Sequence, residues 1–361
     1  MTHEHPLTAA GITPNYLTTL LADASQGTRV DEVSIADAKT YGEQFVSTAG
    51  RVIIDVRYGA NPDGLPSRLV IKLARDDKIM GSMYANEVAF YRRIRPELSI
   101  EAPACFGGNY DADSLSFALV LEDLTKRNVR FPNVTQPVTL EEIRGILDAL
   151  AALHGRFWAS PRFEDDLAWV ETHIAGGVAD MMNGLAPTYI QHEVDHENFK
   201  RELVQRLRTT PAKMLAAVQA VQRHQSTLPQ TLLHGDTHLG NTYLLPGSGG
   251  GLLDWQLMVR GYHIHDVNYL ITTALPIGER RAQERDLLCY YLDRLAAEGG
   301  RPLSFDDTWL EYRRALMWGV YIGWLTTPVV NYGWEINVLN HLRLTTAFED
   351  HETSQAISDL L

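Results

Sequence analysis

Short runs of apolar residues, several of them alternating with polar ones, fill the first third of the chain. Runs of this kind, separated by turns rich in glycine, asparagine and proline, are typical of β-strands. They predict strands at residues 44–47, 51–58, 68–73 and 116–121, the first three as an antiparallel meander. A helical pattern predicts a short helix at 14–24 and a longer one at 81–94, which Pro96 ends.

Beyond Thr139 the apolar positions recur with the period of an amphipathic helix. Helices are predicted at residues 140–158, 197–207, 211–225, 279–298 and 306–324. A short β-like island interrupts them at 231–233, 242–245 and 251–253, with the glycine-rich stretch 247–251 as a hairpin loop. The pattern predicts an α+β protein, in which a small antiparallel sheet with one long helix precedes a larger, mainly α-helical part.

Charge and cysteine content narrow the classes of function. The chain has 361 residues, of which 45 are acidic and 32 basic, and its formal net charge is −13. Because this charge repels phosphate backbones and anionic lipid surfaces, we expect neither nucleic acid nor a membrane as partner. Cys105 and Cys289 are the only cysteines and form no CxxC pattern, and the first 25 residues show no secretory signal. We therefore expect a cytoplasmic protein.

One uncharged stretch, residues 315–334, has roughly the length of a membrane span. It is interrupted by Thr326, Thr327, Pro328 and Asn331. A buried helix followed by a turn and an aromatic loop explains this stretch better than a span does.

The residues most suggestive of chemistry lie in the β-like island, in HGDTHLGN at 234–241 and LDWQ at 253–256. Mg²⁺ prefers hard oxygen ligands, which the amide of Asn241 and the carboxylate of Asp254 can supply. Phosphoryl transfer also needs a carboxylate that orients the attacking hydroxyl and accepts its proton, and Asp236 is the candidate. The spacing follows the logic of the protein kinase loop H-R-D-x-x-x-x-N followed by D-F-G.

The histidines of this segment, His234 and His238, have the spacing of a zinc pair on a helix. Gly235 and Gly240 disfavour a helix here, so we expect His234 to fix the loop through hydrogen bonds. Asp266 is expected to brace the same loop or to cap a helix.

Together these motifs resemble the aminoglycoside phosphotransferase and choline kinase-like superfamily, and most closely its ecdysteroid-kinase-like branch. Its catalytic loop reads H-G-D-x-x-x-x-N and its second metal motif is a D-W or D-F pair, as in HGDTHLGN and LDWQ here. The resemblance spans about residues 42–270 and includes LVIK at 69–72, NEVAFY at 86–91, VLEDL at 120–124, LHGRFW at 153–158 and HDVNYL at 265–270. It implies a bilobal protein-kinase-like fold, with a nucleotide-binding lobe at 1–121, a hinge at 122–126 and a helical lobe at 127–361.

The resemblance also implies an ATP-dependent kinase that phosphorylates a hydroxyl of a small molecule, with Mg²⁺ held by Asn241 and Asp254. Lys72 would contact the α- and β-phosphates and Glu87 would pair with Lys72. Backbone groups of Glu122 and Leu124 would clasp the adenine. No G-x-G-x-x-G loop occurs between the first two strands, so the segment that begins at Ser47 and ends at residue 50 would have to cover the phosphates.

The C-terminal part offers candidate residues for the acceptor site, all of them aromatic: Trp318, Tyr321, Trp324, Tyr332 and Trp334. A nearly uncharged aromatic wall favours a hydrophobic alcohol such as a steroid, a terpenoid or a macrolide. An aminoglycoside or choline-type acceptor stays open, because the acidic cluster at 164–166 could face a cation and aromatic rings bind quaternary ammonium groups. A metal-dependent hydrolase and a nucleotide-binding pseudokinase are further alternatives from other classes.

Overall fold

A computed structural model describes residues 5–37, 49–75 and 81–361. The chain divides into two compact units, one of Met1–Leu98 with Ala102–Val129 and one of Ser99–Glu101 with Arg130–Leu361. The architecture is α+β, as the sequence predicted, with a small antiparallel sheet in the first unit and mainly helices in the second.

The first unit is built on a five-stranded antiparallel sheet. Its helices and strands are α1 (Pro14–Leu21), β1 (Arg29–Asp37), β2 (Ala49–Ala60), β3 (Arg68–Ala74), α2 (Gly81–Ala89), β4 (Cys105–Asp111) and β5 (Ser116–Glu122). The strand order is β1-β2-β3-β5-β4, and the predicted strands at 51–58 and 68–73 are present as the antiparallel pair β2 and β3. A π-helical turn, Phe90–Ile94, continues α2.

Alternation on β2 shows how the sheet buries one face. Val52, Ile54 and Val56 are buried, whereas Asp55 and Arg57 between and beside them are exposed. The buried side chains form a core with apolar residues of α1, β1, β3 and β5. This period of two is the pattern that predicted the strand.

Two strands of this sheet were not predicted. β1 pairs with β2 through several register shifts, which break the alternation of apolar and polar residues that marks a strand. β4 contains Gly107 and Gly108, and glycine weakens the strand signal. Gly107 is needed there because a Cβ would lie 2.2 Å from the carbonyl oxygen of Leu20. The predicted strand at 44–47 lies outside the described residues.

The second unit contains eleven of the helices in the described ranges: α3 (Leu140–Arg156), α4 (Gly177–Gly184), α5 (Ala186–His196), α6 (Asn198–Arg206), α7 (Pro211–Gln225), α8 (Ile264–Ala274), α9 (Ile277–Ala297), α10 (Phe305–Trp318), α11 (Val329–Tyr332), α12 (Trp334–Asp350) and α13 (Thr353–Ala356). Its four strands form two short antiparallel pairs, β6 (Thr231–Leu233) with β9 (Val259–Gly261), and β7 (Thr242–Leu244) with β8 (Gly250–Leu252).

Helix α8 lies at the centre of the second unit, where it packs against α3, α9, α10 and α12. All its residues are buried, so it lacks the polar stripe by which an amphipathic helix is recognised, and the periodicity did not predict it. The predicted helix 306–324 is α10 followed by a π-helical turn, Gly319–Gly323. Of the helices in the described parts of the chain, none combines the length and hydrophobicity that a membrane crossing requires.

Candidate active site

The HGDTHLGN segment leaves strand β6 and ends where β7 begins. Gly235 has a φ of +86°, and a Cβ there would lie 2.0 Å from the carbonyl oxygen of Leu257. The backbone of this loop therefore touches the backbone of the loop that follows Asp254. Only glycine combines that close approach with a left-handed conformation at low cost.

Asp266, in the first turn of α8, holds the start of the loop. Its Oδ2 accepts the N–H of His234 at 2.7 Å and its Oδ1 accepts the N–H of Gly235 at 2.9 Å. The hydroxyl of Thr237 donates to the carbonyl oxygen of Asp266 at 2.6 Å. Burial alone would raise the pKa of Asp266, but the hydrogen bond from His154, with smaller effects of His265 and His234, lowers it to about 2. The carboxylate is thus a charged, fully buried brace.

Asp236 projects from the loop with its side chain 27% exposed. The amide Nδ2 of Asn241 donates to Asp236 Oδ2 at 2.8 Å and to its carbonyl oxygen at 2.9 Å. Partial burial, together with the negative charge of Asp254, raises the pKa of Asp236 to about 8. We expected the side chains of Asp236, Asn241 and Asp254 to lie close together, and the structure places them so.

Asp254 has a left-handed backbone, with φ +62°, at the start of the turn Trp255–Leu257. The preceding residue, Leu253, is tied to the HGDTHLGN loop by two hydrogen bonds. The N–H of Leu253 donates to the carbonyl oxygen of Asn241 at 2.8 Å, and Nε2 of His234 bonds the carbonyl oxygen of Leu253 at 2.7 Å. A non-glycine residue in this conformation is strained, and the surrounding hydrogen bonds hold it there.

The histidines of the loop use their ring nitrogens differently. His234 bonds Leu253 through Nε2 and accepts the N–H of Asp236 through Nδ1 at 3.2 Å, so both nitrogens serve the loop. His238 accepts the N–H of Gly240 at 3.1 Å through Nδ1, and its Nε2 lies 3.9 Å from Asp236 Oδ2. Burial lowers the pKa of His238 to about 4, so this ring is neutral at pH 7. These contacts do not form the zinc pair that the spacing allowed.

The oxygen atoms around Asp236 fit a magnesium ion. Within residues 5–37, 49–75 and 81–361, no group of three or more histidine, cysteine or carboxylate side chains is arranged to hold a metal. Mg²⁺ needs fewer protein ligands than that, because nucleotide phosphates and water complete its octahedral shell. Asn241 and Asp254 provide an amide oxygen and a carboxylate, and the mutual repulsion of Asp236 and Asp254 favours a cation between them.

The first unit contains the predicted lysine–glutamate pair. Nζ of Lys72, on β3, lies 2.6 Å from Glu87 Oε1 and 2.5 Å from Oε2, on α2. Lys72 is 4% exposed and Glu87 is fully buried. Burial of two opposite charges is tolerated only when they pair closely, so the ion pair fixes the lysine on the sheet.

The predicted hinge follows β5. The amide N–H of Glu122 donates to the carbonyl oxygen of Ala104 at 2.9 Å, and the carbonyl oxygen of Leu124 accepts from Arg127 at 3.0 Å. A clasp of adenine would therefore use the other backbone group of each residue. Ser47 lies outside the described residues, and Ala49 and Gly50 of the predicted phosphate-covering segment 47–50 pair with β3 as strand residues.

The structure separates the aromatic residues that the sequence grouped. Rings of Trp324 and Tyr332 lie 5.7 Å and 6.3 Å from the ring of His238, and Tyr269, which the sequence did not single out, lies 6.0 Å from it. Trp318 packs instead on His173 and His265, Tyr321 is fully buried, and the half-exposed Trp334 packs on Phe199. Of the predicted acceptor residues, Trp324 and Tyr332 are beside the catalytic loop.

The sheet with its lysine–glutamate pair and the loop pair around Asp236 are features of a protein-kinase-like fold. The model of the phosphotransferase enzyme family (APH) matches residues 60–303. Because this match covers more than half of the chain, the protein belongs to that family and is a phosphotransferase, as the motifs predicted. No curated protein matches the chain.

Several solved structures resemble the protein. A choline kinase from Cryptosporidium parvum Iowa II has a TM-score of 0.52 at 11% identity, over 92% of this chain and 91% of that one. The macrolide 2'-phosphotransferase MphH from Brachybacterium faecium has 0.45 at 15%, over 96% and 97%. The aminoglycoside phosphotransferase APH(3'')-Id from Streptomyces rimosus has 0.45 at 17%, over 78% and 93%. At such identities the choline kinase shows a shared fold and nothing about the acceptor.

Proposed function

We propose that the protein is an ATP-dependent kinase that transfers the γ-phosphoryl group to a hydroxyl of a small molecule. The observation that carries the proposal is the meeting of Asp236, Asn241 and Asp254 on two interlocked loops of a phosphotransferase. A nucleotide-binding role of the first unit and an acceptor-binding role of the second are part of the same proposal, as is a place in the ecdysteroid-kinase-like branch.

Asp236 is the proposed base. As the acceptor oxygen bonds to the γ-phosphorus, the bond between that phosphorus and the bridging oxygen breaks and ADP leaves. The proton of the acceptor hydroxyl passes to the carboxylate of Asp236. The double hydrogen bond from Asn241 fixes the direction of that carboxylate, so that it can hold the hydroxyl in line for attack.

The proposed roles of the other site residues are those that the family resemblance implies. Lys72, held by Glu87, would bind the α- and β-phosphates, and backbone groups of Glu122 and Leu124 would bind the adenine. Asn241 and Asp254 would hold Mg²⁺, which when bound would neutralise charge on the phosphates. Ser47 remains the proposed start of the segment that covers the phosphates.

The rings beside His238 support a hydrophobic acceptor. The half-buried Tyr332 packs at 5.7 Å against the buried Trp324, so the surface next to the proposed base includes an aromatic ring. Such a wall gains free energy by covering apolar surface of a steroid-, terpenoid- or macrolide-like alcohol. A choline-type acceptor would use the same rings through cation–π contact, and it is the competing outcome of the experiment below.

The test is transfer of label from γ-labelled ATP with Mg²⁺ to a panel of a sterol, a macrolide, an aminoglycoside and choline. Asp236→Asn should reduce transfer about 10²- to 10⁴-fold, the usual effect of losing a general base. Asp293→Asn, the same change at an exposed position on α9, should have no effect.

The outcomes separate the parts of the proposal. Label on the sterol or macrolide supports both the kinase and the hydrophobic acceptor. Label on the aminoglycoside or choline supports the kinase and overturns the hydrophobic acceptor. Label on no compound, with no Mg²⁺-dependent nucleotide binding, overturns the kinase itself, and full activity of Asp236→Asn overturns the role of Asp236.

A further inference from the structure

The ring of His238 is held in one orientation and one tautomer by the catalytic loop. Its Nδ1 accepts the N–H of Gly240 at 3.1 Å. A neutral imidazole that accepts through Nδ1 carries its proton on Nε2. The loop therefore presents an N–H donor at Nε2.

That donor points to the side on which Asp236 acts. Nε2 lies 3.9 Å from Asp236 Oδ2, too far for a direct hydrogen bond. In the part of the chain that the structure describes, no protein group lies within hydrogen-bonding distance of this nitrogen, although the side chain is only 10% exposed. Nε2 of His238 is not one of the buried side-chain atoms that lack a hydrogen-bond partner, so this donor is open to solvent, and a water or a ligand can accept from it.

Aromatic side chains supply the ring contacts of His238. Tyr269, Trp324 and Tyr332 surround His238 with their rings at edge-to-face angles, with centroids 5.7 to 6.3 Å away. Aromatic rings pack against the imidazole and keep its plane fixed. The ring of His238 thus has these aromatic rings and Asp236, the proposed base, as neighbours.

We propose that the Nε2–H of His238 donates a hydrogen bond to the acceptor hydroxyl oxygen whose proton Asp236 accepts. This inference rests on the proposed kinase function. A hydroxyl oxygen about 2.8 Å from both Nε2 and Oδ2 would see the two atoms at an angle of about 90°, which a hydroxyl oxygen accommodates.

The consequence is a two-point hold on the reacting hydroxyl. Its proton is directed to Asp236 and one lone pair to His238, which leaves the second lone pair for the γ-phosphorus. His238 neither gains nor loses a proton in the transfer, so it binds and orients the acceptor and leaves proton transfer to Asp236. His238 would then select acceptors whose reacting oxygen is accessible beside the aromatic wall.

Two substitutions separate this role from the support that His238 gives to the loop. In His238→Asn the side-chain oxygen can take the place of Nδ1 and accept the N–H of Gly240, but the side chain is too short to donate where Nε2 donates. In His238→Gln the amide nitrogen can reach the position of Nε2, but the bond to Gly240 is lost. The labelled compound of the panel serves as acceptor, and His192→Asn, at an exposed histidine of α5, is the matched control.

The expected result is opposite for the two variants. His238→Asn should keep the Tm and the KM for ATP and lose about tenfold or more in kcat/KM for the acceptor. His238→Gln should have a lower Tm and keep most of the kcat/KM.

Other results overturn the proposal. Wild-type acceptor kcat/KM in His238→Asn would show that the ring only supports the loop. An equal loss in His238→Gln, or a parallel rise in the KM for ATP, would show that the donor at this position does not bind the acceptor. If the wild-type enzyme labels no compound and shows no Mg²⁺-dependent nucleotide binding, the kinase proposal has failed and this inference fails with it, a result distinct from the other two.

Discussion

Replacement of Asp266 by asparagine tests whether the catalytic loop depends on a buried negative charge. The change keeps the size of the side chain. It replaces one oxygen by an NH₂ group that faces either the N–H of His234 or the N–H of Gly235, which Asp266 accepts at 2.7 and 2.9 Å. One buried backbone donor therefore loses its partner, which costs about 1–3 kcal/mol.

A second route to the magnitude gives a similar value. The pKa of Asp266 is lowered from 3.8 to about 2 by the hydrogen bond from His154 and its histidine neighbours, against the effect of burial. At 1.36 kcal/mol per pKa unit, the ionised form contributes about 2 kcal/mol at pH 7. We therefore expect Asp266→Asn to lower the free energy of unfolding of the second unit by about 2–3 kcal/mol.

The pH dependence follows from the sign of the shift. A carboxylate whose pKa is lowered in the folded state stabilises that state fully above the pKa of the unfolded chain. The contribution is lost as the pH falls from about 4 to about 2. The difference between wild-type and variant proteins should be constant between pH 7 and pH 5 and should shrink below pH 4.

Urea unfolding followed by tryptophan fluorescence at several pH values measures this difference, with Asp293→Asn as the exposed control. Phosphoryl transfer should fall in the same variant, because the loop that carries Asp236 loses one of the two backbone hydrogen bonds that the Asp266 carboxylate accepts. A difference in unfolding free energy below about 0.5 kcal/mol at pH 7 would refute the argument, because the charge of Asp266 would then contribute almost nothing to the stability of the fold.

Two further changes test the packing around the site. Gly235→Ala should abolish phosphoryl transfer and lower the Tm, because its Cβ would lie 2.0 Å from the carbonyl oxygen of Leu257. Thermal unfolding and label transfer measure the two effects, and an active variant with an unchanged Tm would contradict the prediction. Lys200→Met should destabilise the second unit by about 3–5 kcal/mol, because it leaves Glu193, bonded to Nζ at 2.7 Å, as a nearly buried unpaired charge. Adding Glu193→Gln should recover part of that loss in urea unfolding, and a double variant no more stable than the single one would count against it.

The features that could be predicted from the sequence are those set by residues close to one another along the chain. The three residues Asp236, Asn241 and Asp254 meet as expected because a short hairpin joins their loops. The helix α3 begins where Thr139 and Glu142 form a capping box, a signal contained in four consecutive positions. Such features do not depend on distant contacts, so they can be predicted from the sequence alone.

The grouping of the aromatic residues was harder to predict because it depends on a change of helical geometry. A regular helix over 306–324 was expected, and it would have fixed which aromatic side chains share a face. The π-helical turn Gly319–Gly323 rotates the later side chains relative to that helix, so Trp318 lies against His265 whereas Trp324 lies against His238. No pattern of apolar residues distinguishes these two turns.

Contacts between residues far apart in the sequence were equally hard to predict. Lys200 of α6 is fully buried and bonds the carbonyl oxygen of Thr327 at 2.7 Å and that of Leu325 at 3.4 Å, more than a hundred residues away along the chain. In the sequence it is an ordinary lysine of a polar helix. Its contacts fix the segment directly after Trp324, so the position of the aromatic wall depends on a residue that local patterns assign to the surface.

The rigidity of the catalytic loop has its origin in motifs that the sequence treated as structural. His154 in LHGRFW bonds Asp266 in HDVNYL at 3.1 Å, and Asp266 bonds the first two residues of HGDTHLGN. The hydroxyl of Tyr291, on α9, extends this series of hydrogen bonds, because it bonds Nδ1 of His154 at 2.7 Å. Since α3, α8 and α9 pack together, the core between these helices holds the carboxylate of Asp266 in place before any substrate binds. The three motifs therefore form one hydrogen-bonded unit, whose buried residues set the position of Asp236, the proposed base.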